Sequence, residues 1–311
     1  MLVKLLSGKS FFAQIILVVL FLAVFFTQNA PISTNWESLL GLGFYFINLL
    51  LTIVFLNNTN LLKLTGVACF YFLSWMLCFT PIALDFRLSA SLLFCTMIFW
   101  RLMATEQSME NKKFFFDIGI LLSISGFFYP PSLVLTGFLL FIFLYVQALN
   151  LKAFLIFFIG FTLPLVVGIQ ILYLTDQLDW LSTYPSAFCL DFWNSKVWAL
   201  LPIGFFLLIV WFDHLSHSST QDINKRHKYF LTFLYFVNLL VMLILFAGEN
   251  YFYLAFLGIP LTIFFTRFTQ YLSNWVYQEL LVGTFLLTLV GFYFRKEISQ
   301  FFIDLLGNVT F

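Results

Sequence analysis

Six carboxylates and one arginine carry most of the chemistry available to this chain. Glu37, Asp85, Asp176, Asp179, Asp191 and Glu249 stand in polar connections between long apolar runs, and Arg87 stands beside one of them. Grouped at one surface, such carboxylates supply a general base and hold a phosphate through a bound cation. Glu37, in "STNWESLL", follows the first apolar run and is the candidate base. Asp176 and Asp179, in "TDQLDWLSTYPSAFCLDFWNSK", are candidates for positioning an acceptor or a metal. Arg87, in "IALDFRLSA", is placed to contact an anionic phosphate or to pair with Asp85. Glu249 stands in "LILFAGENYFYLAFLGIP", where Gly248, Glu249 and Asn250 alone interrupt the apolar residues. A carboxylate that close to hydrocarbon marks a site by default, although Gly248 can equally close a helix there and leave Glu249 in an exposed turn. Glu37, Asp176 and Asp179 are thus the catalytic candidates, and Arg87 and Glu249 the substrate-binding ones. The plain alternative is that each carboxylate is simply solvated.

Other reactive types are arranged less tellingly. Asp213, His214 and His217, with His227 beyond, have a spacing that can ligate a metal. They lie in "DHLSHSSTQDINKRHKY", a Ser-rich stretch with a cationic end better suited to anionic headgroups. Cys69, Cys78, Cys95 and Cys189 show no paired ligand spacing. No phosphate-cradling glycine loop and no nucleophile elbow occurs. The expectation is no metal and no cofactor. Asp117 is expected to pair with Lys112 or Lys113, and Gly119, Ser123 and Gly126 share a helical face suited to close helix contact.

The elements that must position these groups follow from composition. Of 311 residues, 62% are hydrophobic, 22% aromatic and 9% charged, with 46 phenylalanines. Soluble domains carry about 25% charged residues, so this chain cannot cover itself with water-compatible groups. A net charge of +1 gives no steering toward nucleic acid. Apolar runs near 11–27, 38–56, 64–80, 88–104, 114–128, 132–149, 152–174, 197–213, 229–247, 251–267 and 280–294 predict an all-α, polytopic transmembrane bundle of about eleven spans, within a range of ten to twelve. The stretch 114–149 as one helix would be about 54 Å long, well beyond a bilayer core of about 30 Å. Pro130-Pro131, in "FFYPPSLVL", must therefore divide it into a hairpin.

Orientation follows from the basic residues. With a cytoplasmic N-terminus, Lys4, Lys9, Lys63, Arg101, Lys112, Lys113, Lys152, Lys225, Arg226, Lys228 and Arg267 fall inside, and Arg87, Lys196, Arg295 and Lys296 outside. The carboxylates above then face outward, with the double proline. The chain reads as one integral membrane domain, 1–311, with an outer loop near 175–196, a cytoplasmic loop near 214–228 and an amphipathic tail near 297–311 lying on the membrane surface.

"FFFDIGILLSISGFFYPPSLVLTGFLLFIFL" (114–144), with "LLSGKSFFAQIILVVLFL" and "GENYFYLAFLGIPLTIFF", resembles an uncharacterised family of multi-pass inner-membrane proteins of Bacteroidota marked by a Phe/Tyr-Pro-Pro-Ser-Leu turn. The resemblance implies an inner-membrane location and no activity. Three functions fit. One is a non-catalytic subunit or scaffold in cell-envelope assembly, with other envelope-assembly membrane proteins and the lipid bilayer as partners. Another is a membrane glycosyltransferase drawing sugar from a polyprenyl-phosphate lipid, with Glu37 as base and Arg87 on the donor phosphate. The third is a transporter of lipids or small molecules.

Overall fold

Apolar runs punctuated by Pro, Gly, Asp and Asn dictate helices with defined stops. The computed structural model describes residues 11–28, 35–58, 62–104, 112–145, 151–179, 223–246 and 251–294, with Val3, Leu6 and isolated positions between 204 and 210. The helices are α1 (Phe11–Gln28), α2 (Trp36–Asn58), α3 (Thr65–Cys78), α4 (Phe86–Met103), α5 (Lys112–Phe128), α6 (Leu135–Tyr145), α7 (Leu151–Leu174), α8 (Ile223–Phe246), α9 (Gly258–Tyr271) and α10 (Trp275–Tyr293). Short 3-10 turns at Thr80–Leu84, Pro130–Val134 and Tyr251–Leu257 introduce α4, α6 and α9, and no strand occurs among the described residues.

Six stretches are long and apolar enough to cross a membrane: Trp36–Asn58, Phe86–Met103, Leu151–Leu174, Lys225–Phe246, Phe252–Tyr271 and Trp275–Tyr293. The expectation of about eleven spans is not supported, and six stand among the described residues. An apolar run is not the same thing as a helix. α3 has 14 residues, roughly 21 Å at the helical rise, and stops just before Pro81. α6 has 11 residues, because Pro130 and Pro131 hold the start of that run in a 3-10 turn. The run at 197–213 lies outside the described residues apart from isolated positions, as do the outer loop beyond Asp179 and the tail at 297–311. α8 begins at Ile223, so Lys225, Arg226 and Lys228 occupy its first turns rather than a loop.

The three 3-10 turns gather at one end of the bundle. Tyr129 stacks on Tyr253 at 5.0 Å and Phe86 meets Phe128 edge-on at 5.1 Å. Trp75 Nε1 donates to the Leu254 carbonyl at 3.0 Å. Burial, with Tyr253 beside it, raises the Tyr129 phenol well above its ordinary value, so it remains a neutral hydroxyl. Beneath this end Ser91, Cys95, Ser125 and Ser132 form a buried hydrogen-bonded cluster, with Ser91 Oγ to Ser125 Oγ at 2.8 Å and Ser125 Oγ donating to Ser132 Oγ at 3.0 Å. The last bond closes across the double proline and ties α5 to the turn that follows. Tyr129, at φ −139° and ψ 97°, has the extended backbone that a following proline requires.

The opposite end collects cations. Arg101 reaches Asp117 there, Arg267 lies over Tyr229, and the Val3 amide donates to Glu279 Oε1 at 2.8 Å. α5 and α7 run side by side in the same direction. Gly119 faces the Phe157 carbonyl, and a Cβ on Gly160 would lie 2.5 Å from the Phe116 carbonyl oxygen. Small residues are what allow two backbones this close.

Candidate functional site

Opposite charges, an aromatic ring and open volume meet on the flank between α2, α4 and α5. Trp100 and Arg101 come from the last turn of α4, Asp117 from the second turn of α5, and Leu51 from the second half of α2. They line a cavity of about 530 Å³ with Met97, Ala104, Ile120 and Leu121. Ala104 is exposed and the other seven half-buried, so the cavity opens sideways from the bundle.

Arg101 Nη2 donates to Asp117 Oδ2 at 2.9 Å, with the two side chains 38% and 43% exposed. Asp117 thus takes a partner from the neighbouring helix, where a lysine of its own helix was expected. The guanidinium also lies 6.0 Å from the centroid of Phe114, at the margin of a cation–π contact. Arg101 Nε is buried with no hydrogen-bond partner. Met97 stands one turn from Arg101, and Ile120 and Leu121 one turn from Asp117, both toward the middle of the bundle. The cavity is therefore polar at its rim and apolar in its depth.

A second cation stands nearby on the same end. Arg267 is only 4% exposed. Its guanidinium lies 3.5 Å above the Tyr229 ring, and Nε and Nη2 both donate to the Tyr271 hydroxyl, at 3.1 and 2.9 Å. No carboxylate pairs with it among the described residues, and Nη1 has no hydrogen-bond partner. Two electron-rich rings replace the missing counter-charge, and the arrangement pins α8 to α9.

The residues expected to carry chemistry are placed differently. Glu37 is exposed in the first turn of α2, where a carboxylate complements the helix dipole. Asp85 caps α4, its Oδ1 accepting from the Arg87 amide at 2.9 Å and the Leu88 amide at 3.1 Å. Asp85 therefore engages the backbone of Arg87, and the Arg87 side chain is exposed. Asp176 takes a left-handed backbone, φ 55°. Its amide donates to the Tyr173 carbonyl, and the Gln177 amide to the Leu172 carbonyl. That pair of bonds is the Schellman closure of a helix end. Asp179 is exposed three residues further on. Glu249, Asp191, His214 and His217 lie outside the described residues. Glu37, Arg87, Asp176 and Asp179 do not line the flank cavity. No group of three His, Cys, Asp or Glu side chains is placed to hold a metal among the described residues.

Sequence reasoning missed the Arg101–Asp117 pairing. Its signal was opposite charges at matching ends of two consecutive helices, Arg101 near the close of one and Asp117 near the start of the next.

Comparison with curated proteins and with solved structures returns no match. Residues 1–302, nearly the whole sequence, do match one family, and on that extent the chain belongs to the family of unknown function DUF6427.

Proposed function

We propose that the protein is a multi-pass protein of the bacterial inner membrane, of the Bacteroidota type its sequence resembles, with a cytoplasmic N-terminus. We assign it the role of a non-catalytic subunit or scaffold in cell-envelope assembly. The observation that carries the reading is the employment of the candidate carboxylates. Asp85 caps a helix, Asp176 closes one, and Glu37 sits at a helix start, on three different elements. A glycosyltransferase acting on a polyprenyl-phosphate sugar needs a base and a phosphate contact converging on one cavity. The flank cavity contains neither Glu37 nor Arg87.

The apolar exterior supports the same role. Only 17% of the apolar stretch of α7 is buried, and Leu155, Phe158, Ile159 and Val166 are exposed on it. In a bilayer such a surface meets lipid or a partner helix. Photo-crosslinking groups at Leu155, Phe158, Ile159 and Val166 separate the two. The four positions share one side of α7, and a scaffold yields one membrane-protein adduct from them. Adducts to lipid alone from all four positions overturn the scaffold reading.

The flank cavity favours a second reading, in which the protein handles an amphiphile, as the transport hypothesis supposes. Its polar rim and apolar depth match such a ligand, and the consequence is developed next.

A further inference from the structure

The Arg101–Asp117 pair is incomplete as it stands. One guanidinium nitrogen and one carboxylate oxygen are joined. The two side chains are 38% and 43% exposed, so the guanidinium edge and the carboxylate that this single bond leaves over are open to the cavity, while Arg101 Nε is shut off from it. Both ions face an open cavity of about 530 Å³, within the range of small-molecule sites, roughly 300–1,000 Å³. Whatever completes the pair must offer an acceptor to Arg101 and a donor to Asp117 within a few ångströms of each other.

The rest of the lining narrows the class further. Leu51, Met97, Ile120 and Leu121 form an apolar wall leading from the charged rim toward the middle of the bundle. A helix is about 10–12 Å across with its side chains, so a volume of about 530 Å³ equals little more than one turn of it and suits a single acyl chain better. Trp100, at the rim, has the amphipathic ring that settles at headgroup depth.

We infer that this cavity holds a phospholipid with a zwitterionic, primary-amine headgroup. Its phosphate lies against Arg101, its ammonium donates to Asp117, and one acyl chain lies along Leu51, Met97, Ile120 and Leu121. A wholly anionic headgroup would place like charge beside Asp117. A trimethylated choline headgroup has no N–H to give Asp117 Oδ1. Arginine's planar fork suits phosphate, and the bonds on both sides are charge-assisted. The inference goes beyond the scaffold reading and rests on the membrane placement in it.

The test uses the full chain, washed free of native lipid in mild detergent and offered equal amounts of phosphatidylethanolamine, phosphatidylcholine and phosphatidylglycerol with identical chains. Native mass spectrometry reads the retained lipid. The expected result is one phosphatidylethanolamine, held about tenfold over the other two. Asp117→Asn should abolish the preference over phosphatidylcholine. Met97→Trp, which leaves the ion pair in place and fills the chain slot, should reduce retention of all three lipids, with the thermal unfolding midpoint confirming that both variants fold. Equal retention of phosphatidylglycerol, an unchanged preference in Asp117→Asn, or wild-type retention in Met97→Trp overturns the inference. Soluble phosphoethanolamine should compete poorly, and competition equal to that of the lipid overturns the chain placement. Sodium carbonate washing of membranes keeps the two readings distinguishable. A chain released by it overturns the membrane reading and this inference together. A chain that stays in the bilayer without a lipid preference overturns this inference alone.

Discussion

Asp85 and Asp176 belong to the same residue type and were read in the sequence as parts of one acidic surface, yet each does backbone work of a different kind. Asp85 satisfies two of the orphan amides at the start of α4, the role for which Asp is among the preferred residues. Asp85→Ala is expected to lower unfolding stability by about 1 kcal/mol. Asp176 occupies a left-handed position that Gly adopts freely and branched residues resist. Asp176→Gly should leave stability unchanged or slightly raised, while Asp176→Val should lower it by roughly 1–2 kcal/mol. Thermal unfolding of the three variants in detergent checks both statements. A loss of stability in Asp176→Gly matching that in Asp176→Val would show that the side chain, not the backbone angle, is what the site needs. Arg267 illustrates the opposite case. Its charge was counted among the inner basic residues, but the ring of Tyr229 and the hydroxyl of Tyr271 that accommodate it come into view only once α8 and α9 are packed.

At the level of elements, small residues set how closely helices approach. Gly119 and Gly160 let α5 and α7 meet backbone to backbone. Gly160→Leu must push the two helices apart, and a destabilisation of about 1–3 kcal/mol is expected from the overpacking. Gly137 on α6 is the matched control. A Cβ there meets nothing within 4 Å, so Gly137→Ala should stabilise by about 0.5–1 kcal/mol through helix propensity alone. Equal effects from the two substitutions would show that α5 and α7 are not in contact. The sequence indicated Gly119, Ser123 and Gly126 as one contact face, and the two glycines meet different neighbours in the structure. Gly119 meets α7, and Gly126 accommodates the Leu133 side chain of the following turn. Ser123 is buried with its hydroxyl unpartnered. Helical periodicity assigns a face to a residue, but which neighbour lies opposite depends on where the chain goes after it turns. The same limit explains the span count. The Pro130-Pro131 pair was visible as a break, while the number of residues it would hold in 3-10 geometry was not.

For the whole molecule, the main feature is the separation of its two ends. Asp85, the double proline and the three 3-10 turns lie at one end, and Arg101, Arg267 and the first turns of α8 lie at the other. With the basic end held in the cytoplasm, a membrane-impermeant maleimide should label Gln177→Cys in intact cells. Lys113→Cys, two residues into α5, should react only after lysis. The reverse pattern would invert the orientation, and labelling of both from outside would exclude a crossing between them. Cys69 and Cys95 are buried, and the labelling is done in a background with Cys78 and Cys189 replaced by Ser.

The sequence by itself determined the helical class, the places where helices stop and the asymmetry of charge, because these depend on composition and on neighbours a few residues apart. It also located the double-proline hairpin, since a missing amide and a fixed φ act locally. The tertiary structure alone decided which charges meet. Arg101 and Asp117 are 16 residues apart on separate helices, and an ion pair forms only within about 4 Å, so their pairing depends on the register of α4 against α5. It likewise decided that the candidate carboxylates stay with their own helix ends while a rim of opposite charges opens onto an apolar slot, since only packing determines which helix surfaces enclose a volume.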